Sequence, residues 1–136
     1  MNKKLIIQLS GFGLFMAFAT VFFIPPQIEP FIWLIIFVFC AWRIAKKCKE
    51  EIFLHGLLVS ILNSVWITSI HILFYHTYLE SHRDMAALTA QFGMEESPRL
   101  MMLVFGPSIG IISGMVLGFF SIIAGKLMKK NSASNN

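Results

Sequence analysis

The chain has 136 residues, 57% of them hydrophobic and 13% charged, with a net charge of +4, whereas soluble domains run at about 45–50% apolar and about 25% charged. So little polar surface cannot coat a water-soluble domain, and the length allows a single domain. The basic residues cluster beside long apolar runs instead of forming one patch, which points away from nucleic acid and toward the headgroups of a lipid bilayer.

Four apolar stretches, at about 5–24, 28–45, 52–79 and 99–125, predict an all-α integral membrane bundle of four transmembrane helices, since about 20 helical residues cross about 30 Å of hydrocarbon. The first opens with Lys3 and Lys4 and contains Ala17-Phe18-Ala19, the outline of a signal peptide. Its apolar run continues through Val21 to Ile24, however, so it reads as a retained span. Pro25, Pro26 and Pro30, around Gln27 and Glu29, stop it and leave a very short turn, making the first two helices an antiparallel hairpin. The second stretch is short unless Ile28 and the aliphatic stem of Arg43 are included, with the guanidinium reaching back to the headgroups. Cys40 and Cys48, in and just after it, read as packing residues rather than a disulfide.

In the third stretch Ser60, Ser64, Thr68, His71, Tyr75 and Tyr78 fall within about 80° of one another at about 100° per residue, with Asn63 on the flank. Such side chains are costly against lipid and should point into the bundle. There they serve either as hydroxyl and amide glue between helices or as the lining of a ligand or ion path. His71 is the titratable group deepest in the hydrocarbon, and no carboxylate is embedded in the interior of the four spans, which argues against proton-coupled transport. Trp33, Trp42, Tyr75 and Tyr78 read as interfacial anchors and Trp66 as a deeper packing residue, with no aromatic cage and carboxylate among them.

Between the third and fourth spans, Met85, Leu88 and Phe92 recur at helical spacing from a start near Ser81 or Asp84, and Gly93 supplies a stop. This predicts a short amphipathic helix on the outer membrane surface. His76, Glu80, His82 and Asp84 are ligand types, but their spacing matches no metal motif, so neither metal nor cofactor is expected. Ser97-Pro98 suits the cap and first turn of the last helix. That helix carries Gly106, Gly110, Gly114 and Gly118 at a strict spacing of four. Glycines so placed let two backbones approach closely, within the bundle or between copies. Pro107 predicts a kink, and residues 131–136 a frayed polar tail. No nucleophile elbow, zinc-protease motif or phosphate loop occurs, so no enzyme is expected.

Nine basic residues (Lys3, Lys4, Arg43, Lys46, Lys47, Lys49, Lys126, Lys129, Lys130) flank one side of the spans, and two (Arg83, Arg99) flank the other. By the positive-inside rule both termini are cytoplasmic, and the bias disfavours a dual-topology protein such as a small multidrug exporter.

A lysine- and arginine-terminated hairpin, Phe53-Leu54-His55-Gly56-Leu57-Leu58 opening a long span, an outer polar segment and a glycine-rich last helix ending in Lys126, Lys129 and Lys130 complete the pattern. In these features the chain resembles bacterial four-helix membrane proteins catalogued only as a domain of unknown function. The resemblance implies an inner-membrane location and no particular activity. The expectation is therefore a noncatalytic membrane component that associates with a second copy or another membrane protein through its glycine face. The alternative is a small oligomeric transporter or channel subunit that uses the polar face of the third helix.

Overall fold

The computed structural model of the chain describes residues 1–93 and 96–134. Those residues form six helices and no strand: α1 (Lys3–Phe22), α2 (Glu29–Lys47), α3 (Ile52–Leu73), α4 (Tyr75–Ser81), α5 (Arg83–Gln91) and α6 (Pro98–Ser134). Three of them, α1, α3 and α6, are long and apolar enough to cross a membrane. The fourth long helix, α2, is apolar through its middle but carries Glu29, Arg43, Lys46 and Lys47 within 19 residues.

Local chemistry sets most of the boundaries. The side chain of Asn2 caps α1 by accepting from the Leu5 N–H at 3.1 Å. Pro30 sits in the first turn of α2, where its missing N–H costs nothing, with Glu29 at the positive end of the helix dipole and Lys46 and Lys47 at the negative end. The Ser97 carbonyl accepts from Leu100 and Met101 to start α6, which then runs through Pro107 as one helix. Its last residues take in 131–134, part of the expected tail, while 135 and 136 lie outside the described residues.

The stretch read as one span over 52–79 is divided. Helix α3 ends at Leu73, Phe74 takes φ −103° and ψ 35°, and α4 follows. Neither proline nor glycine causes the break. The Phe74 ring packs edge-on against Phe18 and Phe22 of α1, with centroids at 6.0 and 5.3 Å, so a tertiary contact fixes the turn. The backbone stays satisfied across it, because the Phe74 N–H donates to Ile70 and the Tyr78 N–H to Phe74. The amphipathic segment forms as α5, and Gly93, at φ 64°, occupies the left-handed conformation that stops it. Met85 turns inward while Leu88 and Phe92 stay exposed.

Helix α3 is central, packed on α6 along one side and on α1 along the other, and α2 lies mainly against α6. The sequential hairpin of α1 and α2 is therefore not the closest pairing, although Phe12 and Phe39 meet across it at 5.6 Å. The shared core joins Leu9 and Met16 of α1, Cys40 and Ile44 of α2, Val59 of α3 and Leu117 of α6. At the end that gathers the chain terminus and most of the lysines, the Met1 ammonium lies 3.3 Å from Glu51. There the Asn2 N–H donates to His55 Nε2 at 2.8 Å, and His55 Nδ1 in turn faces the Glu51 carbonyl at 2.8 Å, which ties the N-terminus to α3. The opposite end holds the α1–α2 turn, α4 and α5. Trp66, expected to pack inside, is 39% exposed on the outer surface of α3.

Candidate functional site

The two patterns read from α3 and α6 face each other. A Cβ on Gly106 would strike Thr68, and one on Gly110 would strike Ser64. Gly114 sits against Leu57, Gly118 against Phe53, and Gly56 against the Gly118 backbone. The glycine face is therefore covered by α3 of the same chain. A second copy would have to use a different surface, so association through these glycines loses its interface in this fold.

On the other side of this seam, α2 stands off α3 in the half of the bundle near α4 and α5, leaving a partly enclosed cavity of about 220 Å³. Four of the five polar residues singled out on α3, namely Ser60, Ser64, Thr68 and His71, line it, and Gly106 and Gly110 complete that wall. The eleven residue steps from Ser60 to His71 cover about 16 Å along the helix axis. Asn63 points elsewhere: its Oδ1 accepts from the backbone N–H of Gly13 in α1 at 3.1 Å, deep in the α1–α3 contact. Its role is glue between helices, as glycine at position 13 allows; a Cβ there would lie 2.5 Å from Asn63 Oδ1.

The hydroxyls on this wall are mostly committed as donors. Ser64 donates to the Ile61 carbonyl at 2.8 Å and Ser113 to the Ile109 carbonyl at 2.7 Å, while Ser60 and Ser113 meet at 2.8 Å. Thr20 of α1 donates its hydroxyl hydrogen to a carbonyl of its own helix, Met16 at 2.9 Å or Ala17 at 3.2 Å. Its oxygen is then an acceptor toward His71 Nε2, 3.0 Å away. That bonding assigns the hydrogen of a neutral His71 to Nε2 and leaves Nδ1 as an acceptor on a ring that lines the cavity.

The opposite wall was not read from the sequence. Glu29, Trp33 and Phe37, at i, i+4 and i+8 on one face of α2, line the cavity together with Tyr78 of α4 and Phe105 of α6. Trp33 Nε1 donates to Glu29 Oε1 at 3.2 Å. The other carboxylate oxygen lies 3.6 Å from His82 Nε2, and that nitrogen is buried without a hydrogen bond. His82 Nδ1 faces the Tyr78 carbonyl at 3.2 Å, so Nε2 carries a hydrogen toward Glu29 when the ring is an imidazolium. The rings of His71, Tyr78 and His82 stack in series, with centroids at 4.0 and 4.1 Å. The expectation that no carboxylate accompanies the aromatic residues is thus corrected. The sequence places Glu29 in a turn and Trp33 at an interface, and the i, i+4, i+8 spacing of Glu29, Trp33 and Phe37 is the signal that links them.

No family model, curated protein or solved structure matches the chain.

Two other placements differ from the extended arc drawn on α3. The break at Phe74 returns Tyr78 to the cavity but removes Tyr75, whose ring lies 5.8 Å from the Arg99 guanidinium. His76, Glu80 and Asp84 are exposed while His82 is buried, and the described residues contain no group of three or more side chains able to hold a metal ion.

Proposed function

We propose that this chain is a noncatalytic protein of the bacterial inner membrane that crosses the bilayer four times, with both termini cytoplasmic. In this reading it binds a small solute in the cavity between α2, α3 and α6, as a transporter or channel subunit does. The observation that carries the binding reading is the cavity itself, where the polar face of α3 meets space instead of packed side chains.

The membrane reading is supported by what the bundle exposes. Phe15, Phe31, Ile35, Ile112 and Phe119 are each at least half exposed, on three different helices, and in water so much apolar surface would drive aggregation. Charge is confined to the helix ends, and the nine-to-two distribution of lysine and arginine favours the end bearing the N-terminus as cytoplasmic. The middle of α2 presents Leu34, Ile35, Val38 and Phe39 outward, and its 19 residues measure about 28 Å, enough to make it the fourth span.

The test is cysteine accessibility in whole cells, starting from a variant with Cys40 and Cys48 replaced. Cysteines at Ser60 and Thr68 should react with a small, charged, membrane-impermeant thiosulfonate added outside, and a cysteine at Lys129 only after permeabilisation. Unreactive positions 60 and 68 in a folded protein would reject the cavity as a solute site. Reaction of position 129 in intact cells would reverse the topology.

A further inference from the structure

We infer that the solute is a small organic cation: an ammonium group with hydrogens to donate, carried on an aromatic or aliphatic body. This rests on the proposed binding role of the cavity and specifies its ligand.

Three properties of the lining lead there. First, the wall carries the Glu29 carboxyl group and no lysine or arginine. Second, the hydrogen-bonding capacity is biased toward acceptors. The hydrogens of Ser64 and Ser113 go to backbone carbonyls, that of Trp33 goes to Glu29, and that of His71 goes to Thr20. The acceptors left over on these lining residues are the Glu29 carboxylate, His71 Nδ1 and the serine oxygens, with the hydroxyls of Thr68 and Tyr78 able to serve either way. An anion or a carbonyl-rich solute would meet acceptor against acceptor, whereas an ammonium offers two or three donors to these groups. Third, four aromatic residues, Trp33, Phe37, Tyr78 and Phe105, line the same space as the carboxylate, beside isoleucine and methionine side chains. A cation over an aromatic face is attracted by the ring quadrupole, and more strongly where water is excluded.

Size narrows the class further. The cavity measures about 220 Å³. That has room for a single-ring amine. His82 is placed to compete with the ligand. Its unpartnered Nε2 lies 3.6 Å from Glu29, and the groups facing the pair are Trp33 of α2 and Tyr78 of α4, with His71 of α3 behind Tyr78.

The experiment uses the purified full-length chain in lipid nanodiscs with Trp42 and Trp66 changed to phenylalanine, so that Trp33 reports alone. Three probes of similar shape are titrated: 2-phenylethylammonium, the neutral 2-phenylethanol and the anion phenylacetate. The expected result is saturable change in Trp33 emission with the ammonium at least tenfold tighter than with the alcohol, and none with the anion. Glu29→Gln should reduce the preference for the ammonium over the alcohol to less than threefold.

Equal binding of ammonium and alcohol overturns the inference without requiring any substitution at Glu29. So does a preference that survives Glu29→Gln in a protein whose Trp33 emission is otherwise native. If none of the probes binds but cysteines at Ser60 and Thr68 react, the inference fails and the solute cavity stands. If those cysteines are also inert, the binding role fails with it.

Discussion

Adding one methyl group at Gly56 tests whether the close approach of α3 and α6 shapes the bundle. An ideal Cβ there would lie 2.7 Å from Gly118 N, 2.8 Å from Gly118 Cα and 2.9 Å from Leu117 C. All three are backbone atoms, so no side chain can rotate away. Ordinary carbon contacts need about 3.5–4.0 Å, and the helices must therefore part by about 1 Å at this point. Overpacking of this kind costs about 1–3 kcal/mol. The helix-propensity gain of alanine over glycine returns at most about 1 kcal/mol. The net expectation for Gly56→Ala is a loss of about 1–2 kcal/mol, a roughly five- to thirtyfold fall in the folded-to-unfolded ratio. Gly11→Ala is the matched control, because a Cβ at Gly11 meets nothing within 4 Å; its expected effect is neutral to about 1 kcal/mol stabilising. The assay is reversible unfolding in mixed micelles with rising dodecyl sulfate, followed by tryptophan emission and near-ultraviolet dichroism. Gly56→Ala as stable as the unsubstituted chain, or Gly11→Ala equally damaged, would refute the packing argument.

The same seam predicts a specific rescue. Gly106→Ala should cost about 1–3 kcal/mol because its methyl meets the stiff, β-branched Thr68. Thr68→Ala in the same chain should restore at least half of that loss, and additive losses in the unfolding assay would show that the two helices are not in this register. At the lysine-rich end, burial raises the Cys48 thiol above its ordinary value, against a smaller opposing effect of the nearby N-terminal ammonium. The thiolate is the reacting form. Maleimide labelling of Cys48 in a Cys40→Ala background should therefore lag behind that of the unfolded chain near pH 8–9 and catch up as pH rises, with mass spectrometry as the readout. The retained proton makes folding relatively more favourable below the unfolded thiol's titration range, and this contribution fades as pH climbs toward the folded value. Equal labelling rates at pH 8 would contradict it.

The legible parts of this molecule are those with a local cause. Pro25, Pro26, Pro30, Pro98 and Gly93 mark helix boundaries through backbone chemistry, and their positions predict the hairpin turn, the start of α6 and the end of α5. Periodicity likewise identifies the polar face of α3 and the glycine face of α6. Facing those two patterns toward each other takes tertiary knowledge, because a glycine series fits a neighbour in the same chain as well as one in another. The break at Phe74 has no local marker, since it depends on Phe18 and Phe22 more than fifty residues away in the chain. Glu29 was hidden for a similar reason. In the sequence it belongs to a proline-rich turn, and only the packing of α2 against α6 brings its face to the hydroxyls of α3.

The cavity follows from unequal demands along one set of helices. In the half nearer the N-terminus, α2 contributes Cys40 and Ile44, α3 Val59 and α6 Leu117, all fully buried and all apolar, so the interface packs dry. In the other half α3 offers Ser64, Thr68 and His71, which an apolar wall cannot cover without stranding their lone pairs. Helix α2 answers there with a carboxylate and large rings, and the same glycines that draw α6 onto α3 leave α2 standing off from that polar face. Ile44, Val59 and Leu117 do not line that space and form a dry plug in the other half. A hollow half and a dry half are thus built from one packing pattern. Opening a path through the bundle would require that plug to part, which in close-packed protein means a second arrangement of α2 on α6 and not a gradual widening.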